Sequence, residues 1–316
     1  MSAEPFRIDV HHHILPAFYQ TALSDIGMTL SGGRPIPEWD LQSALALMDR
    51  HAIATAITSI SEPGIYFGDT ILAKDLARRC NEFSAELIRD YPQRFGAFAI
   101  LPLPDIDISL RELEYALDTL KLDGVVLLSS VDGRYPGDPL FDELFTELNR
   151  RKAVVFLHPT VPANNSALKL DLPPFLIEFV FDTTRAVTNL LYSGTLERCP
   201  DIRFIVAHAG GTVPFLAYRI SMGQTMLTGV PQGALTYLKQ LHYDTALSAN
   251  PNALRSLLEL VDTSQIHFGS DYPFAPEMTL FLATQSIQNF DGFDEQARKV
   301  VERESALALF PRFFSG

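Results

Sequence analysis

The sequence predicts a single (β/α)8 barrel domain spanning residues 1–316, and two observations support this prediction. Eight short apolar runs rich in β-branched residues recur along the chain, with longer segments of helical periodicity between them. Several of the runs are apolar throughout, as parallel strands are when helices cover both faces of their sheet. Eight such alternations in 316 residues are typical of a closed barrel, a TIM barrel, and a doubly wound open sheet is the alternative.

The predicted strands are short and the predicted helices are longer. The strands span residues 8–13, 54–60, 95–101, 124–129, 154–158, 203–208, 242–247 and 266–270. The helices span residues 41–50, 70–91, 109–120, 139–151, 174–198, 213–222 and 252–260, and a last helical region follows the eighth strand. The Pro- and Gly-rich residues 30–37 predict a small insertion after the first strand rather than a domain boundary.

The composition limits the classes of partner. The chain is 47% hydrophobic and 20% charged, which is typical of a globular protein. Its net charge of −13 argues against nucleic acid, so an anionic substrate has to be held by local cations or by a metal. Cys80 and Cys199 make no disulfide framework, which favours a reducing cytoplasm. No signal peptide precedes the first strand and no apolar run reaches the ~18 residues of a membrane span, so we expect no membrane partner.

Metal-binding side chains stand at the carboxyl ends of four predicted strands. Three consecutive histidines, residues 11–13, end the first strand, and His158 ends the fifth. His208 ends the sixth strand, and Asp271 follows the eighth. Active sites of (β/α)8 barrels lie at this face, so we expect these side chains at one rim.

The three consecutive histidines divide between two faces. Side chains alternate along a strand, so His11 and His13 are predicted to point into the barrel mouth and His12 away from it. The His-x-His pair can bind one divalent ion, and His158 and Asp271 complete a nitrogen and oxygen shell that suits Zn²⁺ or Mn²⁺. An open position remains for water or substrate.

The remaining histidines are expected to have structural roles. His12 is predicted to pack behind the site, and His51 to lie at the surface after a helix. His242 and His267 fall inside predicted strands, where packing is the favoured interpretation.

Several longer motifs resemble a known family. The sequence is similar to the amidohydrolase superfamily, and within it to the branch of aminocarboxymuconate-semialdehyde decarboxylase. The matching stretches are IDVHHHILP, EWDLQSALALMDRHAI, VVFLHPT, FDTTRAVTNLLYSGTLERCPDIRFIVAHAGGTVPFLAYRI and FGSDYPF. Finer similarity, in DPLFDELFTELNRRKAVVFLHPTVP and HYDTALSANP, is to 6-methylsalicylate decarboxylases.

This resemblance implies roles for the residues at the rim. It makes His11, His13, His158 and Asp271 the ligands of one divalent metal ion. It makes His208 a non-ligand that activates or positions the metal-bound water or the substrate. A small aromatic carboxylic acid is the implied substrate.

Three other positions refine the implied substrate, metal count and assembly. Arg219 matches an arginine that reaches a neighbouring subunit's site in the semialdehyde decarboxylase and grips a carboxylate, which implies a homodimer or a dimer-based oligomer. Ala44 stands where that enzyme has a second carboxylate-binding arginine, which favours a monocarboxylate. Binuclear relatives carry a bridging lysine at the end of strand 4; here Lys121 precedes that strand, so we expect one metal ion per chain, with Zn²⁺ favoured.

These features favour non-oxidative decarboxylation of an ortho-hydroxybenzoate, with 6-methylsalicylate as the preferred substrate and m-cresol as the product. Asp271 is the first candidate to deliver a proton to the ring, and His208, or a water that it orients, is the second. Phe274 is a candidate wall for the aromatic ring. The alternative is hydrolysis of a lactone or amide by water that a single metal activates.

Overall fold

Eight parallel strands form the centre of the molecule, as predicted. The computed structural model describes residues 6–315. We label the barrel strands β1–β8, and they span Arg7–His13, Ile53–Ser59, Phe95–Ile100, Gly124–Leu128, Val154–His158, Arg203–Val206, His242–Asp244 and Ile266–His267. They are neighbours in this order, and every ladder between them is parallel. The predicted (β/α)8 barrel is therefore confirmed.

The barrel closes where β1 meets the segment that follows β8. Val10 N donates to Phe268 O at 3.0 Å and Asp271 N donates to His11 O at 2.8 Å. His13 N donates to the carbonyl of Tyr272 at 2.7 Å. We call this row of hydrogen bonds the closing seam, and it brings residues 11 and 13 next to residue 271.

Helices surround the strands. Helices α1–α7 span Ala17–Asp25, Leu41–Arg50, Thr70–Asp90, Ile106–Glu114, Asp142–Arg150, Glu178–Tyr192 and Thr195–Arg198. Helices α8–α14 span Ala207–Gly210, Val213–Ser221, Ala234–Leu238, Pro251–Leu258, Glu277–Asn289, Glu295–Lys299 and Ser305–Leu309. None of the helices within residues 6–315 is both long and apolar enough to cross a membrane.

Aspartates fix the starts of three helices that follow or precede barrel strands. The side chain of Asp40 accepts a hydrogen bond from Ser43 N, and that of Asp105 accepts one from Ile108 N. Asp69 accepts from two amides at the start of α3. Such caps satisfy amide groups that have no partner inside the helix and so set the helix boundary.

Aromatic rings fill the barrel beneath the candidate site. The rings of Phe98 on β3 and Phe156 on β5 stack with centroids 5.3 Å apart. The imidazole of His11 packs edge-on against Phe156, with centroids 4.9 Å apart. The rim histidines therefore rest on a packed apolar layer, which holds their positions and separates them from the lower barrel.

The structure differs from the predicted elements in three ways. Strands β6, β7 and β8 end two or three residues earlier than predicted, because the chain turns away before the rim residues. Helices α1, α8 and α10 were not predicted. The predicted insertion is a hairpin of two short strands, Leu30–Ser31 and Arg34–Pro35, which we call the β1 hairpin.

Candidate metal centre

His11 and His13 lie side by side at the end of β1. Their ring centroids are 4.8 Å apart, and both side chains are buried. His12 points the other way, where its Nδ1 lies 3.0 Å from Asp9 Oδ2 and its ring lies against Tyr272. The alternation of a strand thus separates the three histidines as predicted.

Side chains from three other strand ends meet this pair. One ligand atom each from His11, His158, His208 and Asp271 lies within 4.8 Å of the others. His13 belongs to the same cluster, because its Nε2 lies 3.1 Å from Asp271 Oδ1. The structure therefore brings together all five side chains that the sequence placed at the rim.

The distances to Asp271 distinguish His208 from His11 and His13. The Nε2 atoms of His11 and His13 both lie 3.1 Å from Asp271 Oδ1. His208 Nε2 is farther away, at 3.9 Å from Oδ2 of the same carboxylate. Both oxygens of Asp271 thus face imidazoles, two on one oxygen and one on the other.

The three histidines of the cluster that lie on β1 and β5 each have a protein partner for Nδ1, the ring nitrogen that points away from the cluster. His11 Nδ1 donates to Asp244 Oδ2 at 2.7 Å, and His158 Nδ1 donates to Pro159 O at 2.7 Å. His13 Nδ1 lies 2.9 Å from Ser59 Oγ. Such partners fix the orientation of an imidazole and leave its Nε2 for a metal ion.

Buried nitrogen atoms without a hydrogen-bond partner indicate whether the cluster fits a metal ion. Among the described residues, His11 Nε2 and both ring nitrogens of His208 are buried and lack a partner with hydrogen-bond geometry. Buried polar atoms are otherwise almost always paired. Imidazole nitrogens beside a carboxylate suit a borderline divalent ion, so the residues present fit a metal.

Asp244, at the end of β7, is a site residue that the sequence analysis missed. Its side chain is buried, and it accepts hydrogen bonds from His11 Nδ1, from His208 N at 3.0 Å and from Ala246 N at 2.9 Å. It therefore connects β1, β7 and the turn after β6. The available signal was an acidic residue among the apolar residues of a predicted strand.

The backbone at His208 and Asp271 is left-handed. His208 has φ of 54° and Asp271 has φ of 58°. Gly211, three residues after His208, has φ of 64°, and a Cβ there would lie 2.2 Å from Val180 O. Non-glycine residues adopt this conformation rarely, and it is concentrated at functional sites. The turn aims His208 at Asp271, and the AHAGGT motif supplies the glycine that the turn needs.

Burial and neighbouring charge set the protonation of the cluster. Burial lowers the pKa of His13 to about 4 and holds the pKa of His158 well below its usual range. Burial alone would raise the pKa of Asp271, but its interactions with His11, His13 and His208 hold the pKa well below its usual range. Neutral imidazoles and an ionised carboxylate are the forms that bind metal ions.

His11 differs from the other histidines because it faces two carboxylates. Burial alone would lower its pKa, but Asp244 and Asp271 raise the pKa to about 10. The two carboxylates thus favour a positive charge at this position. A metal ion bound at His11 Nε2 would supply such a charge.

A cavity of about 430 Å³ opens above the cluster. Phe274, Phe175 and Phe179 line it together with His158, His208 and Asp271. The Phe274 ring lies edge-on to His13, with centroids 5.6 Å apart. The volume and the aromatic lining suit one small, mainly apolar ligand.

The other residues named from the sequence lie away from this cavity. Arg219 is exposed on α9, and Ala44 is buried in α2. Lys121 precedes β4, at the end of the barrel opposite the rim. The structure thus places the two carboxylate-binding positions of the resemblance outside the cavity of this chain.

The histidines outside the cluster have protein partners. His242 Nδ1 and His267 Nε2 lie 2.9 Å apart between β7 and β8, in agreement with a packing role. His51 is partly buried near the surface, with its side chain 10% exposed and its Nε2 3.0 Å from Oε1 of the exposed Glu277.

A histidine-rich centre with a carboxylate, at the carboxyl ends of the strands, defines a class of metal-dependent (β/α)8 barrel enzymes. A model of the amidohydrolase family matches residues 8–312. The chain belongs to this family, and the predicted family is confirmed.

Relatives with known names cover nearly the whole chain. The decarboxylase yanB of Aspergillus niger is 38% identical over 97% of this chain and 88% of its own. The 6-methylsalicylic acid decarboxylase of Penicillium expansum is 37% identical over 97% of this chain and 96% of its own. Among solved structures, a dihydroxybenzoic acid decarboxylase from Polaromonas sp. JS666, with bound manganese and the inhibitor 2-nitroresorcinol, has a TM-score of 0.82. It is 23% identical and covers 97% of each chain.

Proposed function

We propose that the chain is a metal-dependent, non-oxidative decarboxylase of ortho-hydroxybenzoates, with 6-methylsalicylate favoured and m-cresol and CO2 as products. The observation that carries this proposal is the cluster of four histidines and Asp271 beneath an aromatic-walled cavity. The similarity to a 6-methylsalicylic acid decarboxylase over 97% of the chain supports the choice of substrate.

One divalent ion is proposed to bind His11, His13, His158 and Asp271, with Zn²⁺ favoured and Mn²⁺ the alternative. The support is that the Nδ1 atoms of these three histidines have protein partners, which directs their Nε2 atoms inward. His208 Nδ1 has no such partner among the described residues, so its ring is not oriented as the rings of the three proposed ligands are, and this supports a role for His208 on the substrate. A bound divalent ion would supply positive charge that holds the carboxylate and the ortho oxygen of the substrate in one geometry.

The protein's own residues are proposed to move the proton. Direct loss of CO2 would leave an aryl anion, so the ring carbon that bears the carboxylate must be protonated first. Asp271, ionised in the resting site, accepts the proton of the substrate hydroxyl and passes it to that carbon. The carbon–carbon bond then breaks and CO2 leaves, and the electron pair of that bond restores the aromatic ring as a phenolate, which takes a proton from solvent to give m-cresol. His208 is the second candidate for this transfer, and Phe274 packs against the ring.

The assembly and the location belong to the same proposal. We infer one amidohydrolase-type domain over residues 1–316, acting as a cytoplasmic homodimer or dimer-based oligomer. Near Arg219 on α9, the side chains of Phe215, Tyr218 and Met222 are 84%, 77% and 57% exposed. A group of exposed apolar side chains is typical of a surface that another protein covers, and a second copy of this chain would bring Arg219 to the neighbouring site.

The reaction is tested by incubating the metal-loaded enzyme with 6-methylsalicylate in D2O. We expect m-cresol with one deuterium where the carboxylate stood, because the proton comes from an exchangeable group. A para-hydroxybenzoate should be inert, since it has no ortho oxygen beside the carboxylate. Turnover of lactones or amides, with every ortho-hydroxybenzoate untouched, would replace this proposal by hydrolysis.

A further inference from the structure

The cavity carries a marked imbalance of charge. Asp271 lies at its base and the buried Glu62 on its wall, and the whole chain has a net charge of −13. An aromatic carboxylate must therefore approach a negative protein through a cavity lined by acidic side chains before it can reach the ion proposed at the base. Among the described residues that line the cavity, Arg34 is the one arginine or lysine.

Arg34 lies in the β1 hairpin. Hydrogen bonds to Glu62, which follows β2, hold this hairpin on one side. In the hairpin, Ser31 pairs with Arg34. Gly32 N donates to Glu62 Oε1 at 3.0 Å, and Ser31 Oγ donates to Glu62 O at 2.9 Å. The other oxygen of the Glu62 side chain accepts from Thr160 Oγ at 2.7 Å. Glu62 is thus engaged with the hairpin and with the loop after β5, and it is not the partner of the arginine.

The opposite wall of the cavity fixes the hairpin from the other side. Phe175 N donates to Gly32 O at 3.1 Å. Gly32 has φ of 56°, and a Cβ there would come 2.8 Å from the ring of Phe179. The guanidinium carbon of Arg34 lies 5.0 Å from the centroid of the Phe175 ring. A cation over an aromatic face keeps its charge and its outward N–H groups while the stem is held in place.

The charge of Arg34 is not neutralised by the protein. No carboxylate among residues 6–315 lies within 4.0 Å of its guanidinium group, and Arg34 is exposed. Arg185, by contrast, lies 3.6 Å from Asp182 Oδ1 and 4.0 Å from Glu178 Oε2. A fixed, unpaired guanidinium at the entrance of an acidic cavity is suited to a planar anion.

We propose that Arg34 is the residue that captures the carboxylate of the incoming aromatic acid at the cavity mouth. This inference rests on the proposed function for the class of substrate. Arg34 acts from within the same chain, and it is independent of Arg219, which lies outside the cavity. Its contribution is to association of the anion, so it sets KM and leaves the chemical step unchanged.

The experiment compares three variants of the metal-loaded enzyme with the unchanged protein. Arg34→Gln removes the charge, Arg34→Lys keeps it, and Arg111→Gln removes an exposed charge on α4 as the matched control. We expect Arg34→Gln to raise KM for 6-methylsalicylate about tenfold at low salt, with kcat within about twofold. Arg34→Lys should recover most of this loss, and Arg111→Gln should match the unchanged protein.

Two further measurements separate capture of an anion from a structural role. Inhibition by m-cresol, which is uncharged, should be equal in Arg34→Gln and the unchanged protein. Added salt should raise KM of the unchanged protein more than KM of Arg34→Gln, because screening weakens an attraction that the variant lacks. Equal KM values for both proteins, or a parallel loss of kcat and of m-cresol affinity in Arg34→Gln, would overturn the proposal.

Failure of the proposed function is recognised separately. In that case the unchanged protein turns over no ortho-hydroxybenzoate, and binding of salicylate and of m-cresol is measured by calorimetry instead. Weaker salicylate binding in Arg34→Gln alone, with m-cresol binding unaltered, would still support capture of the anion. Equal salicylate binding in both proteins would overturn it.

Discussion

Asp244 accepts hydrogen bonds from two of the four histidines at the candidate centre. One of its carboxylate oxygens accepts from the ring of His11 and the other from the backbone of His208. A carboxylate behind an imidazole fixes its tautomer and raises its basicity, so this hydrogen bond would strengthen His11 as a proposed metal ligand, although Asp244 itself is not one of the proposed ligands.

We therefore predict that Asp244→Asn weakens metal binding about 10- to 100-fold while the barrel still folds. Competition with a chelator measures the metal affinity, and circular dichroism checks the fold. Asp123→Asn is the control, because Asp123 accepts from Ala97 N near the start of β3, away from the rim. Unchanged affinity in Asp244→Asn would contradict the role assigned to this carboxylate.

The His-x-His pair allows a comparison of adjacent residues. His13→Ala removes an imidazole whose Nε2 lies 3.1 Å from Asp271, and we expect loss of metal and of activity together. His12→Ala removes a ring that packs on Tyr272, and we expect metal content and activity to persist with a modest loss of stability. Elemental analysis and activity assays check both variants. Two metal ions per chain, or full activity without metal, would contradict a single-metal centre.

At the residue scale, the sequence predicted the members of the cluster but not their support. His11, His13, His158, His208 and Asp271 could be predicted because strand alternation and barrel geometry place strand ends at one rim. The bond from His11 to Asp244 spans 233 residues, and no local pattern encodes which imidazole faces which carboxylate. For the same reason the sequence could not show that Arg34 reaches the cavity.

At the scale of elements, the barrel strands were predicted well except at their carboxyl ends. The predicted strand 203–208 ends at Val206, and the predicted strand 266–270 ends at His267. The apolar pattern continues past both ends, because buried residues of a turn are as apolar as those of a strand. The left-handed backbone at His208 and Asp271 depends on tertiary contacts, which a short sequence pattern does not contain. Helix α1 was missed because only Tyr19 and Leu23 of its nine residues are buried.

The histidine pair between β7 and β8, His242 and His267, predicts that the stability of the protein depends on pH. Burial lowers the pKa of His242 to about 4, and burial beside His242 holds the pKa of His267 well below its usual range. Both folded-state pKa values lie below the usual value, so the unfolded chain binds more protons between about pH 4 and pH 6.5. This contribution to the free energy of unfolding is therefore fully present above about pH 6.5 and is lost as the pH falls.

We expect His242→Gln to reduce the loss of stability between pH 7.5 and pH 5. The full pKa difference corresponds to at most about 3 kcal/mol for His242, of which pH 5 reaches only a part. Urea unfolding at the two pH values measures the change in the free energy of unfolding for each protein. Equal losses in the variant and the unchanged protein would show that this pair does not contribute.

At the scale of the whole molecule, the fold was predictable because its pattern repeats. Eight apolar runs with helices between them favour a closed parallel barrel over a doubly wound open sheet. The surface of α9 was not predictable in the same way, because exposure of Phe215 and Tyr218 depends on what packs beside the helix. Within the sequence, only the resemblance connected this surface with a second chain, and the exposed apolar side chains add support from the structure.

Subunit complementation tests whether Arg219 on α9 contributes to the site of a second chain. Arg219→Ala and Asp271→Ala are each expected to be inactive, the first by loss of an arginine from the neighbour's site and the second by loss of a metal ligand. In a mixed dimer, one site keeps both Asp271 and the partner's Arg219, so mixing the two variants should restore part of the activity. No recovery, with mixed dimers verified by mass spectrometry, would contradict a shared site.

The closing seam joins the two ends of the chain, so it also determines how late in synthesis the candidate metal centre can form. His13 and Asp271 touch across 258 residues, so their contact cannot form until almost the whole chain has been made. At the usual pace of translation this interval is roughly 13 to 50 s, during which the first histidines are outside the ribosome without their carboxylate. We therefore expect the complete set of proposed metal ligands to come together late, after the barrel has closed.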